Sequence, residues 1–214
     1  MPSIGEQSDK LQWITAIRAD IMYQTKGLAR HLHQPTRLQT HHLKHLLRYL
    51  SGTKHYAAEI KPERQKDRSD KAYVINGYTD SDWGSCQETR KSTSGLVIKL
   101  EGATIAVASR TQSTVAQSSG EAELYAIGSG CSESLYIRSF LHEWHEEMKV
   151  ALNMHTESSV AKSWVSRKGL SKRNKHLDIR YLYLQDLIQK GVIRMIKIPR
   201  SKPGRSASQK CAIS

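Results

Sequence analysis

Tyr78-Thr79-Asp80-Ser81-Asp82-Trp83 sets an aspartate at the end of a stretch that reads as a strand. Ser118-Ser119-Gly120-Glu121-Ala122-Glu123-Leu124 sets a glutamate three residues after a serine, the spacing of a helix capping box. In His155-Thr156-Glu157-Ser158-Ser159 a third acid follows Met148 to His155, which reads as a further strand. A sheet can bring residues 41 and 36 positions apart to one edge, because strand ends and the helix starts packed beside them lie together. Asp80, Glu121 and Glu157 are therefore candidate ligands of a divalent metal cluster. Two plainer readings stand beside this one: all three are ordinary surface acids, or Glu121 is only a cap.

Outward from these stretches the chain keeps a two-residue period. Ala72 to Thr79 and Gly95 to Leu100 read as strands, and Glu101-Gly102 is a tight turn into a third, Thr104 to Ala108. After Ser118 the period becomes helical, with Leu124, Ile127, Cys131 and Leu135 as the buried stripe. Glu157 opens a short helix through Ser166 that Gly169 ends. Lys175 to Gln189 reads as a longer helix with Leu177, Tyr181, Leu184 and Ile188 inward, and Val192 to Ile198 as a last strand. The order β-β-β-α-β-α-α-β requires a mixed α/β sheet of five strands, flanked by helices.

Before residue 65 the pattern is helical. Leu11 to Leu32 reads as one helix, and Pro35-Thr36 opens a second with Leu43, Leu46, Leu47 and Leu50 on one face. His41, His42 and His45 lack a third metal ligand nearby in sequence and read as a solvated or nucleic-acid-facing surface. Lys61 to Lys71, with eight charged residues in eleven positions, reads as a linker. The expected division is residues 1–65 as a helical appendage, 72–198 as the α/β domain and 199–214 as a basic flexible tail. Cys86, Cys131 and Cys211 have no Cys-x-x-Cys spacing, which argues for a reducing, intracellular setting and against a zinc site. No apolar run approaches the roughly 18 residues of a membrane span.

The net charge of +13 is unevenly placed. Lys162 to Ser214 holds fourteen Lys and Arg against Asp178 and Asp186, a net +12, while the first 161 residues sum to +1. Such a field favours a polyanion, with nucleic acid as the first candidate.

Several stretches together resemble the ribonuclease H domain of copia-type retrotransposon polyproteins. They are Tyr78 to Gly84, Thr89-Arg90-Lys91-Ser92-Thr93-Ser94-Gly95, Ser118 to Ala126, and Gly169-Leu170 with Lys175 to Tyr181. Upstream, Arg18-Ala19-Asp20-Ile21 and Leu46 to Thr53 are similar to the end of the adjoining reverse transcriptase region. The resemblance implies a ribonuclease H-like fold and two-metal hydrolysis of the RNA strand of an RNA–DNA hybrid, with Mg2+ or Mn2+. Its first aspartate falls on Asp80, its helix glutamate on Glu121 and its next aspartate on Glu157.

Two departures from the family pattern predict impaired activity. Glu157 stands where the family carries Asp, and a further acid expected after the last strand has no counterpart between Val192 and Ser214. The expected nucleic-acid surface comprises Ser92, Thr93, Ser118, Ser119, Lys168, Lys172, Arg173 and Lys175, with His176 as a proton shuttle. The expected partners are RNA–DNA hybrid or structured RNA. The alternative is a domesticated, catalytically inactive component that binds RNA or serves a larger protein or ribonucleoprotein assembly.

Overall fold

The computed structural model describes residues 4–58, 60, 72–167 and 180–199. The expected linker at 61–71, and all but the first residue of the expected tail at 199–214, lie outside them. The chain forms two compact units, one helical and one built on a sheet.

The helical unit contains α1 (Ile4–Ile14), a single 3-10 turn (Ala19–Ile21), α2 (Met22–Ala29) and α3 (Arg37–Gly52). Leu11, Ile21, Leu28, Leu43 and Leu46 form its core. Thr36 caps α3: its hydroxyl accepts from Leu38 N and Gln39 Oε1 accepts from Thr36 N, a reciprocal box. The single helix expected over Leu11 to Leu32 is instead broken between Ile14 and Ala19. The cause is tertiary, because Arg18 is buried and holds a non-helical backbone, φ −122° and ψ 69°. Its guanidinium donates to both carboxylate oxygens of Asp20 and to the carbonyl and hydroxyl of Thr53.

The second unit is a five-stranded mixed sheet, ordered β3-β2-β1-β4-β5. Its strands are β1 (Tyr73–Asp82), β2 (Thr93–Leu100), β3 (Ala103–Thr111), β4 (Val150–Thr156) and β5 (Ile193–Lys197). Its helices are α4 (Ser119–Trp144), α5 (Ser159–Ser166) and α6 (Arg180–Gln189). The expected fold class and element order are thus present. β1 to β3 form an antiparallel meander, and β4 and β5 add in parallel beyond β1. Glu101 and Gly102 both take positive φ, 49° and 85°, as a two-residue hairpin of right-handed strands requires.

α4 packs across β1, β2 and β4. Ile75, Leu96, Ile98, Leu124, Ile127, Cys131, Leu152 and Met154 join them, and Tyr181, Leu184 and Ile193 extend the cluster under α6 and β5. The approach is close. A Cβ on Gly130 of α4 would stand 2.6 Å from Thr79 Cγ2 and 2.7 Å from Met154 Cε, so glycine lets the helix lie against the sheet there. Cys131 sits in this core, and burial pushes its thiol up to about 12. Among the described residues no helix is long and apolar enough to cross a membrane.

Candidate functional site

Strand register decides where the acids stand. β1 and β4 run parallel with Tyr78 opposite His155 and Thr79 opposite Thr156. Asp80 follows Thr79 within β1, and Glu157 is the first residue beyond β4, so each stands one residue past the last paired positions of these two strands. Gly77 and Thr79 face Met154 and α4. Alternation therefore sets Asp80 on the opposite face, with Asn76 and Tyr78. On its other flank Asp80 pairs with Gly95, which places no side chain beside it. One Asp80 carboxylate oxygen accepts from Ser81 N at 3.0 Å.

Glu121 comes from the helix. Ser118 caps α4 by accepting from Glu121 N at 3.2 Å, as the sequence spacing predicts. The reciprocal bond differs from the expected box: Glu121 Oε2 accepts from Gln117 N at 2.9 Å, one residue earlier. Its other oxygen accepts from the Tyr125 hydroxyl at 2.6 Å, one helical turn on, and the residue is only 2% exposed. Both oxygens are thus committed to local donors. Among the described residues no group of three or more His, Cys, Asp or Glu stands ready to hold a metal ion. Glu121 as placed does not join Asp80 and Glu157 in such a group.

A polar bridge missed by sequence reasoning ties the helix start to the sheet. Gln112, buried just beyond β3, donates from Nε2 to Ser94 Oγ at 3.0 Å and to Ala122 O at 2.8 Å. Ser94 pairs with Ser81 beside Asp80. Gln112 Oε1 and Ser81 Oγ are buried with no hydrogen-bond partner among the described residues. The one-turn spacing of Glu121 and Tyr125 was visible in sequence, but not which way the glutamate turns; the Gln112 bridge had no local signal.

The proposed hybrid-binding hydroxyls divide. Ser119 is exposed and Ser118 is half-buried in its cap. Ser92 is fully buried and its hydroxyl accepts from Gly84 N at 3.0 Å, so it braces the β1–β2 loop rather than offering a phosphate contact. Thr93 is likewise buried, its backbone N–H donating to Asp82 Oδ1. Asp82 also accepts from Ser85 Oγ at 2.7 Å, which ties the strand end to the loop that follows. Trp83 is 59% exposed, with Nε1 donating to Ala116 O at 3.1 Å. Lys168, Lys172, Arg173, Lys175 and His176 lie outside the described residues. At the neighbouring strand end Lys197 pairs with Thr156, and Ile198 N donates to Thr156 O at 3.0 Å.

No protein-family model matches the chain. It is 27% identical over 188 residues to the retrovirus-related Pol polyprotein from transposon RE1 of Arabidopsis thaliana, a match over 88% of this chain. The chain spans 12% of that polyprotein's length. It is 38% identical over 103 residues, 48% of the chain, to secreted RxLR effector protein 161 of Plasmopara viticola, of which 66% is covered. Among solved structures, the foamy viral protease-reverse transcriptase in complex with RNA/DNA hybrid superposes on 96% of this chain and 27% of its own, with a TM-score of 0.50 and 13% identity. LC11-RNase H1 superposes on 61% of this chain and 86% of its own, with a TM-score of 0.41 and 18% identity.

Proposed function

We propose that this ribonuclease H-like domain of copia-type retrotransposon origin binds RNA–DNA hybrids and hydrolyses their RNA strand slowly, in a reaction dependent on Mg2+ or Mn2+. The observation that carries the reading is the β1–β4 register, which supports Asp80 and Glu157 as one carboxylate pair at adjacent strand ends. A pair of divalent ions in such enzymes activates water and neutralises the charge on phosphate. Here the third acid is held by Tyr125 and Gln117, Glu157 is one methylene longer than aspartate, and no acid follows β5 before residue 199. Each of these lowers the expected rate, since a misplacement of about 1 Å can cost about a hundredfold. The basic residues Lys168, Lys172, Arg173 and Lys175 supply phosphate contacts in this reading, and His176 the proton shuttle.

A second reading, a catalytically inactive RNA-binding or structural component of a larger assembly, is favoured by the engagement of both Glu121 oxygens. Incubation of a labelled hybrid separates the two. The first expects slow cleavage that rises when Mn2+ replaces Mg2+, rises again in Glu157→Asp and vanishes in Asp80→Asn. If parent and Glu157→Asp both bind the hybrid and leave it intact in Mn2+, the second reading replaces the first.

A further inference from the structure

Between Asp20 and Glu59 the chain contains no acidic residue, but it carries six Lys and Arg and six His. The solvent face of α3 organises four of these. Arg37, His41, Lys44 and Arg48 stand at i, i+4, i+7 and i+11, within about 60° of one another at the α-helical turn angle. All four are exposed. Gln39, Leu43 and Leu46, on the opposite side, are buried in the helical unit. The result is a cationic stripe about 16 Å long, anchored from behind by the core of its own unit.

The exposed faces of α1, α4 and α6 mix their charges. Glu6 pairs with Lys10 on α1 at 2.8 Å, Asp186 with Lys190 on α6 at 2.7 Å, and Glu133 of α4 with Arg110 of β3. By contrast Arg37, Lys44 and Arg48 have no ion-pair partner among the described residues. A stripe of one sign without counter-charges stores repulsion that a bound polyanion relieves. No large apolar side chain lies along its centre, as a protein–protein interface would require. Regularly spaced point charges along a rigid rod suit a phosphate backbone instead.

We infer that the α3 stripe of Arg37, His41, Lys44 and Arg48 is a nucleic-acid backbone-binding surface of the helical unit, separate from the ribonuclease H-like site. It contacts phosphates and reads no sequence. It does not depend on cleavage, and it adds to whatever hybrid affinity the other unit provides.

The test is fluorescence anisotropy on the full chain with a labelled RNA–DNA hybrid of about 16 base pairs, titrated at several salt concentrations. The triple variant Arg37→Glu, Lys44→Glu, Arg48→Glu is expected to bind at least tenfold more weakly and to lower the slope of log K against log salt by about two to three units. The milder Arg37→Gln, Lys44→Gln, Arg48→Gln variant should show the same direction with unchanged circular dichroism and melting, which separates lost contacts from lost folding. Titrations repeated in a divalent-ion chelator, which silences any cleavage, should keep the same difference between parent and triple variants, so failure of the nuclease reading does not touch this one. An unaltered slope in both triple variants overturns the inference. So does a polyglutamate competitor whose binding falls in the triple variants while hybrid binding stays, which would assign the stripe to an acidic protein.

Discussion

The imidazole of His155 lies flat against the phenol ring of Tyr78, with centroids 4.5 Å apart and planes 13° from parallel. The two residues are register partners on parallel strands, one step before Thr79 and Thr156. Asn76 Oδ1 receives both Asn153 Nδ2, at 3.2 Å, and His155 Nε2, at 3.1 Å. An amide oxygen only accepts, so Nε2 carries the proton and the buried Nδ1 keeps an unpaired lone pair. Strands β1 and β4 are thus latched immediately before Asp80 and Glu157.

Burial holds the His155 pKa below the usual histidine value. The unfolded chain then takes up this proton first as pH falls. The neutral ring's contribution is whole above about pH 6.5 and is lost progressively as pH falls toward the folded value. Urea midpoints measured at about pH 7.5 and about pH 5.5 should therefore fall less in His155→Gln than in the parent. Parallel losses in the two proteins would show that this ring is not the source.

Gly130→Ala is expected to destabilise the sheet unit by about 1–3 kcal/mol despite alanine's better helix propensity, because the new methyl meets Thr79 and Met154 inside ordinary contact distance. Gly27→Ala, where a Cβ meets nothing within 4 Å, is the control and should be neutral or stabilising. Denaturant unfolding of both variants checks the contrast.

Tyr125→Phe removes the donor that holds Glu121 Oε1. The cost in stability should be about 1–3 kcal/mol. The freed oxygen should in return favour a divalent ion, so added Mn2+ should raise the melting temperature more in Tyr125→Phe than in the parent. Adding Glu121→Gln should cancel that gain. Equal Mn2+ responses in all three proteins would mean that Tyr125 does not compete with the metal.

In the helical unit, burial alone would raise the Asp20 pKa, but hydrogen bonds from Arg18 and Tyr49 hold it below the ordinary carboxylate value. The stability this adds is present above the unfolded carboxyl value and is lost as pH falls through the folded one. Arg18→Met leaves a largely buried carboxylate without its cation and should cost about 3–5 kcal/mol. Asp20→Asn added to it should recover part of that loss. Amide exchange along residues 37–52 reports this unit directly.

The order of strands and helices was legible because its signals are local: the Glu101-Gly102 turn, the Ser118 cap, and the apolar periods of α4 and α6. Element ends were less so. β1 runs on to Asp82 and β3 to Thr111 because neighbouring strands continue to pair with them, which no single stretch records. The break after Ile14 depends on Thr53, 35 residues beyond Arg18. Of the candidate site, the strand-end acids were readable from position. The orientation of Glu121 was not, because a helix-start glutamate can turn toward the sheet edge or back onto its own helix, and Tyr125 decides it. Ser92 departs from its expected exposure for a similar reason: the loop between β1 and β2 folds its serine inward onto Gly84 N.

The β1–β4 pairing joins residues 77 positions apart, such as Asn76 and Asn153. The intervening hairpin and α4 are built from contacts close in sequence and can form early, whereas the parallel pair must await closure of that long loop. Thr79 and Thr156, and the acids that follow them, are therefore brought into register late in folding. During synthesis the strand carrying Asp80 waits with one hydrogen-bonding edge unpaired until the ribosome has delivered β4. A chain cut between α4 and β4 would lack both parallel strands, and with them Glu157.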